Sequence, residues 1–177
     1  MNVLSQISHY YEIDKEKIYG RHHSSHLIQT AKLLKKHECR KEVVEAGLLH
    51  SIYDTHSIYH NQGVPLQDRE IIISLSNKKT EELVYFYSYA HVIENYQNIF
   101  CPPSNGEKLY FPEQLINDLS DIIVCDMLEQ IIWCVDKKRI FTYQDAYNHL
   151  NKLTPIMPYC KINIREHYQY YWCKSIL

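Results

Sequence analysis

Glycine is scarce, with four in 177 residues, which speaks against a hairpin-rich β fold built on tight glycine turns. None of the six cysteines forms a C-x-x-C pair, so neither a thiolate zinc framework nor a thioredoxin-like motif is expected. Cys125 and Cys134 lie in apolar stretches, where cysteine behaves as a small buried hydrophobe. Positive charge is not in excess: the formal net charge is −2, and runs such as Lys35-Lys36 and Lys137-Lys138-Arg139 are short enough to be solvated helix faces or ends. A nucleic-acid or anionic-membrane partner therefore has no electrostatic case. No run approaches the roughly 20 apolar residues that span a bilayer. The segment from Met1 to Glu12 also lacks the basic and apolar blocks of a signal peptide. A reducing cytoplasm is the compartment these absences imply. No repeat, low-complexity tract or domain boundary interrupts the chain.

What is present is a globular composition, 45% hydrophobic and 23% charged, with length enough to bury one core. Apolar residues recur at three- and four-residue spacing. Val3, Leu4, Ile7, Tyr10 and Tyr11 predict a helix from Asn2 to about Tyr19, ended by Gly20. A second, capped by Ser24 or Ser25, buries Leu27, Ile28, Ala31, Leu33 and Leu34 and stops near Glu38-Cys39-Arg40. A third runs from Lys41 to about Tyr53. After a loop from Thr55 to Pro65, a helix is expected over Leu66 to Leu75, although Ile71-Ile72-Ile73 alone also reads as a strand. Further helices are predicted from Thr80 to Tyr96, from Pro112 to about Val135, from Thr142 to Leu153 and from about Tyr159 to Cys173. Thr142 with Asp145 resembles a capping box. Cys101-Pro102-Pro103-Ser104-Asn105-Gly106 is the clearest loop. The expectation is one all-α domain over residues 1–177.

His26 and His50 each stand at the end of an apolar stripe, on consecutive helices. An antiparallel helical pair joined by a short turn sets the start of one beside the end of the other, so the two imidazoles can face each other. Two neutral imidazoles at such a distance are a natural beginning for a divalent transition-metal site. Taken alone, His50 also reads as a core histidine bonded to a backbone carbonyl.

The spacing of His26 and His50, with the phrase Ala46-Gly47-Leu48-Leu49-His50, resembles the opening of the HD-domain superfamily. Cys125-Asp126-Met127-Leu128-Glu129 is similar to that superfamily's later aspartate phrase. The stretch from His26 to His50 also resembles myo-inositol oxygenase, an iron-dependent member. Ala46 to Thr55, with Leu128-Glu129-Gln130, looks most like a little-studied bacterial HD-like branch. There the His-Asp pair reads His-Ser, followed by Ile/Val-Tyr-Gly-Thr; here Ile52-Tyr53-Asp54-Thr55 follows His50-Ser51. The resemblance spans roughly Arg21 to Gln130, with the motif-bearing core at about 21–135. It implies a compact HD-type helical domain with His26, His50 and Asp126 as metal ligands. A buried Asp126 needs a partner in any case, whether a metal, Arg21 or a tyrosine hydroxyl.

Ser51 departs from the superfamily pattern, since a serine hydroxyl is a weak ligand where the aspartate bridges two metals. The remaining set has the composition of a 2-His-1-carboxylate triad; iron, zinc, manganese and cobalt all suit it. His22, His23, His56, His60 and His91 are possible additional ligands by position, although the first four read singly as exposed side chains. Arg21, Ser51, Tyr53 and Glu129 are candidates to support the ligands or to touch substrate. Through a hydroxyl, Ser51 is expected to orient a neighbouring ligand or a water. The functions implied are a metal-dependent phosphohydrolase acting on a small molecule, a non-haem iron oxygenase, or a degenerate HD-like module that binds without catalysis.

Overall fold

The sequence from Lys17 to His22 forms a hairpin: β1 (Lys17–Ile18) pairs antiparallel with β2 (Arg21–His22), placing Ile18 opposite Arg21. The two linking residues, Tyr19 and Gly20, have φ of 47° and 77°, the left-handed pair that matches the twist of two short strands. The computed structural model describes residues 3–15, 17–53, 63–92, 112–137 and 142–176. It resolves into two compact units, Met1–Val92 and Ile93–Leu177. Both are helical, so the all-α class holds, and the sheet among the described residues has two strands.

In the first unit the helices are α1 (Val3–Tyr10), α2 (His23–Lys36), α3 (Lys41–Leu49), α4 (Arg69–Leu75) and α5 (Lys78–Val92). The helix expected over Asn2 to Tyr19 is thus half that length. The chain makes one tight turn at Ile13–Lys15 and enters the hairpin, where Gly20 completes a turn instead of stopping a helix. α2 begins at His23, before either serine expected to cap it, and no side chain caps its start. Its buried face is His23, His26, Leu27, Thr30, Ala31 and Leu34, a clean three- and four-residue stripe. At its end the Cys39 N–H donates to the Leu34 carbonyl at 3.1 Å and the Glu38 N–H to the Lys35 carbonyl at 3.0 Å, with Glu38 at φ 56°. This is the helix stop usually built with glycine, here made with glutamate.

α3 lies against α2 through Gly47, where an added Cβ would fall 2.1 Å from Cδ1 of Leu34. It ends at Leu49, short of Tyr53, because Ile52 and Tyr53 extend: the Val64 N–H donates to the Ile52 carbonyl at 2.8 Å and Tyr53 bridges to Val64 in parallel. The expected loop between them falls largely outside the described residues. Ile71-Ile72-Ile73 is helical, with Ile72 buried and Ile71 exposed, which settles the strand alternative. α5 starts two residues earlier than expected, since Asn77 Oδ1 accepts from the Thr80 N–H at 3.0 Å and caps it.

The second unit contains α6 (Glu113–Ile131), running on into a wider helical turn at Ile132–Lys137, then α7 (Tyr143–Asn151) and α8 (Ile162–Ile176). The capping box forms: Thr142 Oγ1 accepts from the Asp145 N–H at 3.1 Å, and Asp145 Oδ2 accepts from the Thr142 N–H at 2.9 Å. Tyr168 donates to the Leu150 carbonyl at 3.0 Å, tying α8 to α7. The backbone N–H of Lys161 donates to Asp121 on α6 at 2.9 Å. The loop predicted at Cys101 to Gly106 lies outside the described residues. No described helix is long and apolar enough to cross a membrane.

Candidate metal centre

The last turn of α3 brings His50 beside the first turns of α2. The rings of His26 and His50 meet edge to face, centroids 5.2 Å apart and planes at 85°. His50 Nδ1 lies 2.8 Å from the Gly47 carbonyl. A carbonyl only accepts, so Nδ1 carries the proton and the neutral ring keeps its lone pair on Nε2. Gly47 therefore contributes twice, as the acceptor that fixes this tautomer and as the point where the two helices approach. The ring of Tyr87, on α5, lies edge-on to His50 at 4.8 Å.

His26 is flanked on its other side by His23, whose ring runs nearly parallel at 5.9 Å and 11°. His23 Nε2 and Ser51 Oγ share a hydrogen bond of 2.8 Å. Arg21, delivered by β2, reaches to 3.4 Å between its Nη2 and His26 Nδ1, a long contact in which the guanidinium donates. All of these residues are buried, the three histidines to 1% exposure or less.

Asp126 stands on α6, also buried, and accepts at Oδ1 from Gln130 Nε2, one turn further on, at 2.7 Å. One ligand atom each from His26, His50 and Asp126 lie within 4.8 Å of one another, a group that could hold a metal ion. Two imidazole nitrogens and a carboxylate oxygen form a donor set for borderline divalent cations, and three protein ligands leave coordination positions open.

The other sequence candidates fall differently. His22 is exposed on β2, as read. His23, read as exposed, is wholly buried; starting α2 at His23 turns that side chain onto the stripe that includes His26 and Leu27. His56 and His60 lie outside the described residues, and of His91, in the last turn of α5, only the backbone is described. Glu129 is buried on α6. Tyr53 donates to Glu81 Oε1 at 2.6 Å, while Arg69 grips the same carboxylate with Nε at 2.6 Å and Nη2 at 2.8 Å. The Arg69 guanidinium also lies 3.5 Å above the centre of the Tyr85 ring. Burial, followed by the bond to Glu81 and its charge, pushes the Tyr53 phenol well above the usual tyrosine range. Its hydroxyl thus belongs to a buried structural network that the sequence reading missed, as it missed Tyr87. The available signals were a glutamate (Glu81) and a tyrosine (Tyr87) on the same apolar face of α5.

No curated protein and no solved structure matches the chain. Residues 14–91, which include His23, His26, His50 and Ser51 but not Asp126, match a family described as a domain of unknown function (DUF6817).

Proposed function

We propose that the protein is a metal-dependent enzyme of HD type, acting on a small molecule in a reducing cytoplasm and hydrolysing a phosphate ester. The observation that carries this is the buried group of His26, His50 and Asp126. The residues fit an ion: His50 presents Nε2 because Gly47 holds its Nδ1 proton, and Gln130 holds one Asp126 oxygen, orienting the carboxylate. A divalent metal held there would supply Lewis acidity toward a phosphoryl oxygen and a more acidic water. Arg21, buried beside His26, provides a permanent cation suited to an anionic group of the substrate. Cys125, Cys134 and Cys160 are buried cysteines, which suits a compartment that keeps cysteines reduced. The likeness of the motifs to the HD superfamily, in which phosphohydrolases are common, favours hydrolysis.

An oxidative, iron-dependent reaction is a second reading, favoured by the ligand composition. The Ser51 hydroxyl is engaged with His23, which leaves two histidines and one carboxylate. Elemental analysis of protein purified without added metal, followed by assay of phosphate release from small phosphate esters, separates the readings. Hydrolysis requires about one equivalent of a divalent metal and phosphate release abolished by chelation and by His50→Ala. Resident iron without phosphate release favours the oxidative reading. Protein that neither contains nor takes up metal is a binding module.

A further inference from the structure

Ser51 follows His50 directly in the chain, yet its oxygen is aimed at neither metal-ligand histidine. It bonds instead to Nε2 of His23 at 2.8 Å, and the His23 ring runs nearly parallel to that of His26 with centroids 5.9 Å apart. Ser51 is 4% exposed and His23 0%, so solvent does not compete for this bond. The bond joins the first residue of α2 to the second residue past the end of α3. His26 is one turn along α2 from His23, and His50 is adjacent to Ser51, so each ligand histidine has one end of the bond beside it.

We propose that Ser51 and His23 form a positioning strut that sets the spacing of the His26 and His50 rings before an ion arrives. This inference rests on the metal reading above. A side chain at position 51 that bonds across to α2 trades a ligand oxygen for a fixed distance between the two ligand-bearing helices. With Ser51 Oγ and His23 Nε2 bonded to each other, that imidazole nitrogen is taken and the hydroxyl is left as a weak neutral donor, a poor replacement for a carboxylate that bridges two ions. The strut therefore predicts a single ion per chain, bound by preorganised histidines.

Cobalt(II) titration of the full chain, followed by visible absorption and by calorimetry, tests it on four proteins: the parent, Ser51→Ala, His23→Phe and the double variant. His23→Phe keeps a ring against His26 while removing the nitrogen that meets Ser51. Helix content and melting temperature are measured on each, so that loss of folding is read separately from loss of metal. The expected result is one cobalt per parent chain and an affinity about tenfold lower in either single variant, with an altered cobalt absorption band. The double variant should lose no more than the worse single one, because both residues act through one bond. Single variants that shift only the melting temperature, while binding cobalt like the parent with the same absorption, overturn the strut and leave the metal reading standing. A second equivalent of cobalt in the parent overturns the strut as well. A parent that takes up no cobalt overturns the metal reading itself, and the strut with it.

Discussion

A β-carbon on Gly47 would sit 2.1 Å from Cδ1 of Leu34, so the two helices that carry His26 and His50 touch where no side chain fits. Leu34 is fully buried and has little room to withdraw. Gly47→Ala should therefore destabilise the protein despite alanine's better helix propensity. Overpacking costs about 1–3 kcal/mol, and the propensity gain offsets up to about 1 kcal/mol of it. A urea midpoint below the parent's, at unchanged m-value, is the expected result; a higher midpoint would show that Leu34 gives way freely.

The Tyr53–Glu81–Arg69 network is the other strongly coupled feature of the first unit. Glu81 is 1% exposed and holds both partners, so Glu81→Ala leaves a guanidinium and a phenol without their acceptor. Removing one partner of a fully buried pair costs about 3–5 kcal/mol. The Arg69 side chain is 34% exposed, so water takes over part of its charge and the expected cost lies toward the lower end of that range. Tyr53→Phe, which deletes one hydrogen bond to a charged group, should cost less, about 1.5–3 kcal/mol. Chemical denaturation of both variants checks the order, and the reverse order would mean that Arg69 and Tyr53 find other acceptors.

Alkaline pH should act through Tyr11, whose hydroxyl donates to Asp68 at 2.9 Å. Burial, then the bond and the negative charge of Asp68, push this phenol up to about 12 from an ordinary value of 10.0. A group whose value is raised on folding holds its proton more tightly in the folded state. Its contribution is thus fully present below pH 10.0 and lost as the pH rises through about 12. Stability measured across that window should fall less steeply in Tyr11→Phe than in the parent. Identical slopes would mean that the Asp68 bond does not survive in solution.

Much of the helical plan is legible in the sequence because burial and helical spacing coincide there. The α2 stripe from Leu27 to Leu34 and the Thr142–Asp145 box are local patterns, decided by residues three or four apart. The hairpin was not legible, because a non-glycine residue, Tyr19, takes half of its left-handed turn. His26 and His50 stand out as polar ends of apolar stripes, and Asp126 as a charge inside an apolar helix. His23 does not, since its burial depends on whether α2 starts at residue 23 or two residues later. The Tyr53–Glu81 bond joins residues 28 apart, and the Arg69–Glu81 pair residues 12 apart. Nothing in a local pattern announces such pairings, which only the fold creates.

The hairpin ahead of α2 also sets a parity. Neighbouring residues of a strand point to opposite faces, and here Arg21 is turned inward while His22 faces solvent. The two-residue turn at Tyr19-Gly20 fixes which of the two goes in. Adding or deleting one residue in that turn would exchange them, sending an imidazole to His26 and the guanidinium to water. The charge that meets the histidine cluster is thus decided by an odd or even count of residues in a turn.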